Sequence, residues 1–149
     1  KIGVESTIIN LLNKPTLLRF GGLDILEIEK ILKKKVIIKN NSKKKIAPGQ
    51  FQLHYSPGIP LRMNAKKPKN NEAFVLIKKR KNIFKNSYYL SKKNDLRESA
   101  KNLYSLLRKI KKDGHKMIAV EKIKNKGIGK TINDRLKRAS SFKWKIQLK

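Results

Sequence analysis

Residues 47–62 read APGQFQLHYSPGIPLR and hold three of the chain's five prolines. Each proline fixes φ and removes a backbone donor, so this stretch is neither helix nor central strand. Its expected path is extended, solvent-facing and stiffer than a Gly/Ser tether. The joint also carries His54 and Tyr55, side chains able to hydrogen-bond and stack, which a plain tether does not need.

The two sides of the joint have different patterns. Upstream, residues 4–12 are apolar and β-branched and predict a buried strand, which Asn13-Lys14-Pro15 ends before a short second strand over 16–19. Phe20-Gly21-Gly22 is a turn. Asp24, with Glu27 three residues on, then caps a helix in the manner of a capping box, and Ile25, Ile28, Ile31 and Leu32 form its apolar face. Residues 36–38 suit a further strand, and the charged run 40–45 opens the connector.

Downstream, residues 72–77 and 87–90 predict strands, the first of them buried. Asp95 and Glu98 cap a long helix with Ala100, Leu103, Leu107 and Ile110 on one face and Gly114 as its C-terminal stop. Residues 117–120 form a returning strand, 126–129 a tight turn, and 131–140 a final helix with Ile132, Leu136 and Ala139 inward. Strand–helix alternation of this kind predicts an α/β fold, here a Rossmann-like three-layer C-terminal domain with a parallel sheet. The expected organisation is residues 1–38 as the end of an α/β domain, 39–62 as linker, and 63–149 as an accessory α/β domain. Residues 1–38 offer too little core to stand alone. With Lys1 in place of Met and a strand beginning at once, coding sequence is expected upstream.

Thirty-nine basic residues against ten acidic give a net charge of +29, which by itself points to a polyanion partner. The excess is carried by Lys alongside abundant Asn and Ile, all with A/T-rich codons. Arg, the better bidentate reader of phosphates and bases, occupies seven positions only. The charge therefore reads first as a solvated surface. A basic nucleic-acid-binding α/β module without catalysis is the alternative, and weak tRNA contact is compatible with either. The chain has no cysteine, which excludes disulfides and thiolate metal sites. It has no apolar run of about 18 residues, so no membrane association is expected and a cytoplasmic location is the default.

Ser6 and Thr7 stand at the mouth of the first strand, and Arg19 precedes the glycines of the turn. At a strand end Ser6 is able to donate to a carboxylate or phosphate oxygen, and Arg19 to grip the same anion in bidentate fashion. His54 and His115 have no spaced Cys or third His to make a metal site. Gly127-Ile128-Gly129-Lys130-Thr131 lacks the spacing of a phosphate-binding loop and reads as turn glycines. Asp134 and Arg138 lie one helical turn apart and are expected to pair.

Read in order, GVESTII, LLRFGG, APGQFQLHYSP, LRMN and GIGKTINDRLKRAS resemble the C-terminal portion of the two-domain threonylcarbamoyl-AMP synthases, the YrdC-like family. The resemblance implies a nucleotidyltransferase that converts ATP, L-threonine and bicarbonate to L-threonylcarbamoyl-AMP and pyrophosphate. Mg2+ is expected with the ATP, and the product would feed the machinery that installs threonylcarbamoyladenosine beside the tRNA anticodon. It further implies that Ser6 contacts L-threonine, that Arg19 and Tyr55 contact ATP, and that the connector, including His54, folds over the site as a lid. Gln50, Ser56, Phe20 and Asn10 depart from the family's commoner Met, Ala, Pro and Asp. The family's phosphate-gripping Lys/Arg cluster and Ser-Ala-Asn segment have no counterpart here. No catalytic residue is therefore assigned within this chain, and it is expected to be inactive by itself.

Overall fold

The computed structural model describes residues 4–38, 56–80 and 84–140; His54, Tyr55 and Gln50 lie outside the described residues. The first unit is a three-stranded sheet ordered β1 (Ile8–Asn10), β2 (Thr16–Arg19), β3 (Ile37–Ile38), with helix α1 (Ile25–Leu32) crossing from β2 to the parallel β3. β1 is antiparallel to β2. Pairing jumps from Ile8↔Arg19 to Ile9↔Leu17, which leaves Leu18 as the extra residue of a bulge beside Arg19.

β1 is shorter than the apolar run 4–12 predicts. Leu11 and Leu12 lie beyond the paired residues and are exposed, Leu12 at 90%. Asp24 caps α1 by accepting from the Leu26 amide at 3.2 Å, one residue earlier than a capping box requires. An eight-residue helix has room for one narrow apolar stripe. Ile25 is buried and Ile28 and Leu32 pack beside it, whereas Ile31, expected inward, is 81% exposed. The buried core of this unit is Leu17, Ile25 and Val36.

The second unit is a four-stranded, all-parallel sheet ordered β4 (Leu61–Arg62), β7 (Met117–Val120), β5 (Glu72–Leu76), β6 (Ser87–Tyr89). β4 comes from the end of the proline-rich joint and lies at the sheet edge, the position that proline tolerates. The Pro60 carbonyl accepts from the Ile118 amide at 2.9 Å. β5 is buried along its whole length, as a parallel strand covered on both faces must be.

Period-two alternation sends Ala73, Val75 and Ile118 to one face, where they meet Leu103, Leu107 and Ile110 of α2 (Leu96–Lys112) and Ile132, Leu136 and Ala139 of α3 (Ile128–Ser140). Phe74, Leu76 and Ala119 line the other face, on which Ala65 and Tyr89 pack. The predicted parallel α/β sheet is thus present, and among the described residues both helices lie on one face of it. What the described residues place on the opposite face is Ala65, Tyr89 and Phe84, none of them helical.

Local signals place the helix ends. Asp95 accepts from the Arg97 and Glu98 amides, while Glu98 receives the Ser91 hydroxyl in place of a reciprocal capping bond. Gly114, at φ +90°, follows the C-cap and ends α2. α3 starts three residues earlier than expected, so Gly129 is helical and not a turn residue. A Cβ there would sit 2.1 Å from the Lys124 carbonyl oxygen, which is why glycine occupies the position.

Polar ties fix the sheet ends. Glu72, with a side chain 1% exposed, accepts from Arg62 Nε and Nη2 at 2.8 and 2.7 Å, and the paired guanidinium holds its carboxyl below the usual range. Tyr88 donates to Asp113 at 2.9 Å and meets His115 Nε2 at 3.0 Å, joining β6 to the end of α2. Burial, reinforced by Asp113, pushes the Tyr88 phenol up to about 12. Lys109 and Tyr88 together lower the Asp113 carboxyl. His115 thus belongs to a structural cluster.

Candidate functional site

Ser6 and Arg19, thirteen residues apart, are brought together where the chain enters β1 and leaves β2. Arg19 Nε donates to the Ser6 carbonyl at 3.1 Å. The Gly22 amide donates to the Glu5 carbonyl at 3.0 Å, and Thr7 Oγ1 both donates to the Leu23 carbonyl and accepts from its amide. Residues 5–7 and 19–23 are thereby laced into one double strap.

The strap closes because residue 21 has no side chain. A Cβ on Gly21 would lie 2.1 Å from Thr7 N and 2.4 Å from the Glu5 carbonyl oxygen. Ser6 itself remains exposed and Arg19 half-buried. A serine and an arginine guanidinium tied to its carbonyl at a strand end bring together residue types that can serve the oxygens of a carboxylate or a phosphate.

The strap rests on α3. Thr131 Oγ1 donates to the Gly21 carbonyl at 2.7 Å. Arg135 Nη2 donates to Glu5 Oε2 at 2.7 Å and to the Phe20 carbonyl at 2.9 Å. Asp134 accepts from Arg135 Nη1 at 3.2 Å and, as expected from their spacing, pairs with Arg138 through Nε at 3.0 Å and Nη2 at 3.1 Å. Arg135 is fully buried.

Sequence reasoning missed Thr131 and Arg135. The signal was available: both fall on the stripe that carries Ile132, Leu136 and Ala139, and a polar residue in an inward stripe requires a partner. The glycine-rich segment before them is the beginning of the helix that presents these two donors.

Among the described residues no group of three His, Cys, Asp or Glu side chains is placed to hold a metal ion, and no helix is long and apolar enough to cross a membrane.

Fold and site together define a parallel α/β domain whose helix α3 holds, through Thr131 and Arg135, the strap of a second, smaller α/β unit. Residues 24–141 match the family model of the threonylcarbamoyl-AMP synthase C-terminal domain, and the chain belongs to that family. The match begins at the N-cap of α1 and so takes in α1 and β3 as well as the parallel domain.

The threonylcarbamoyl-AMP synthase of Pyrococcus abyssi is 30% identical over 163 residues, an alignment covering 96% of this chain and 47% of that protein. A crystal structure of Pyrococcus abyssi Sua5 complexed with L-threonine superposes with a TM-score of 0.74 at 30% identity, covering 93% of this chain and 46% of the other. A structure of the same protein with an adjacent histidine and tyrosine replaced by alanine gives 0.70 at 26% identity, covering 93% and 45%. The chain spans about half the length of these relatives.

Proposed function

We propose that this chain forms the C-terminal half of an L-threonylcarbamoyladenylate synthase. The observation that carries the reading is the Ser6–Arg19 strap, in a chain that belongs to this family. In the reaction, the L-threonine amine condenses with bicarbonate, losing water, and a carbamate oxygen attacks the α-phosphorus of ATP. Pyrophosphate leaves and L-threonylcarbamoyl-AMP is formed. The Ser6 hydroxyl donates to the threonine carboxylate, and Arg19 holds a nucleotide phosphate oxygen. The L-threonine complex of the Pyrococcus abyssi protein supports L-threonine as the substrate that Ser6 is assigned here.

His54-Tyr55 is the single His-Tyr step in the sequence, and a pair of the same residue types was replaced in the other Pyrococcus abyssi structure. Tyr55 is assigned to the nucleotide and His54 to the lid that carries it. A lid suits labile intermediates, because excluding water protects both the carbamate and the acyl-adenylate. Mg2+ would arrive on the ATP phosphates. The described residues offer it no carboxylate cluster, so no step is assigned to it. The product would pass to the tRNA threonylcarbamoyl transfer machinery, in keeping with a cytoplasmic location. The chain by itself is inactive in this reading, since Arg19 holds a single phosphate oxygen and the family's phosphate-gripping Lys/Arg cluster and Ser-Ala-Asn segment have no counterpart in its sequence.

The test joins this chain behind the N-terminal half of the Pyrococcus abyssi enzyme and follows pyrophosphate and adenylate with ATP, L-threonine and bicarbonate present. Threonine- and bicarbonate-dependent release is expected. A folded assembly that binds threonine but releases nothing overturns the reading. In the active assembly Tyr55→Ala should lower turnover about tenfold and weaken ATP binding, as loss of a positioning contact does; wild-type kinetics would remove the lid assignment.

A further inference from the structure

We propose that Arg135 is a positioning residue: from α3 of the parallel domain it sets where Ser6 and Arg19 stand, and so couples that domain to the threonine and nucleotide subsites. The inference rests on the roles proposed for Ser6 and Arg19. Its physical basis is independent of them.

One guanidinium nitrogen reaches both halves of the strap, binding the Glu5 carboxylate next to Ser6 and the carbonyl of Phe20 next to Arg19. Both partners are immediate chain neighbours of the proposed substrate contacts. Because the strap is laced internally by Gly22–Glu5 and Arg19–Ser6 bonds, a displacement of Glu5 or Phe20 carries Ser6 and Arg19 with it. Thr131 adds a second, neutral anchor on the Gly21 carbonyl one helical turn earlier.

The geometry is directional. Planar guanidinium donors fix orientation as well as distance, and Asp134 holds a third side of the group at 3.2 Å. Arg138 in turn pairs with Asp134, so the orientation is set from within α3 before the strap arrives. Arg135 is fully buried in this docking and solvent does not compete for its bonds. Any movement of α3 relative to the small sheet must therefore reach the strap through these donors.

The test has two levels. In the 149-residue chain, Arg135→Met should speed amide exchange at Gly22 and Leu23 by roughly tenfold or more, since their bonds within the strap lose support, while β5 and β7 amides keep wild-type protection. Thr131→Val, which keeps the side-chain shape and removes only the hydroxyl bonded to the Gly21 carbonyl, should give a smaller increase at the same two amides. Unchanged exchange at Gly22 and Leu23 in both variants overturns the proposal.

In the assembled enzyme, Arg135→Met should raise the L-threonine KM about tenfold and lower kcat, whereas Arg135→Lys, which keeps the charge but not the fork, should recover part of the loss. A uniform fall in active enzyme with KM unchanged would reduce Arg135 to a structural role and overturn the coupling. If the wild-type assembly is itself inactive, the proposed function fails, and the exchange measurement alone decides the coupling.

Discussion

The two sheets bury apolar surface to very different degrees. The parallel domain gathers sixteen buried apolar residues into one continuous core, from Ile59 to Ala139, whereas the small sheet buries three. Of the nine large apolar side chains exposed among the described residues, seven (Leu11, Leu12, Leu23, Leu26, Ile31, Ile37 and Ile38) belong to the small sheet. One unit is held by its own interior. The other relies on a glycine-dependent strap and on hydrogen bonds to α3. The first behaves as scaffold, and the second needs a scaffold to define its site.

Three substitutions bear on that contrast. Leu103→Ala, in the centre of α2, should cost about 3 kcal/mol through lost burial and a cavity, while Ile31→Ala on α1 should stay within about 0.5 kcal/mol. Urea unfolding of both measures the difference, and equal losses would break the comparison. Gly21→Ala should cost about 2 kcal/mol by overpacking the strap. Its signature should be faster amide exchange confined to residues 5–23; exchange spread into β5 and β7 would show that the units do not differ in this way.

The smallest effect concerns acid. The folded-state pKa of Glu72 is lowered from 4.5 by Arg62, so its stabilisation is fully present above 4.5 and is lost as pH falls through the lower, folded value. Glu72→Gln should cost about 1 kcal/mol at pH 7, discounted for the partly solvated Arg62, and should flatten the acid slope of stability below 4.5. An unaltered slope would remove Glu72 as its source.

Much of this was legible because local chemistry and tertiary context agree. β2 and β7 occupy the predicted residues, and Asp95 caps α2 as its spacing requires. Ser6 and Arg19 were singled out by residue type, and Arg19 bonds the Ser6 carbonyl; their substrate roles remain the proposal made above. Misreadings arose where a neighbour decides the outcome. β1 ends where β2 stops pairing with it, leaving Leu11 and Leu12 outside despite their apolarity. Gly129 reads as a turn residue until the Lys124 carbonyl beside it is seen. Arg135 reads as one of many surface cations until its partners, more than a hundred residues upstream, are in place.

That separation has a consequence for the order of folding. The Arg135–Glu5 and Thr131–Gly21 bonds span 130 and 110 residues, among the longest closures in the chain. Loop-closure entropy makes such bonds late ones, formed after the parallel core has consolidated α3. On the ribosome the small sheet emerges well before its anchor, so the strap must wait, with the Glu5 carboxylate and the Gly21 carbonyl without their α3 donors, until α3 is synthesised. Truncation or stalling just short of residue 131 should therefore leave the strap without its anchor, even though every strand among the described residues has already been made.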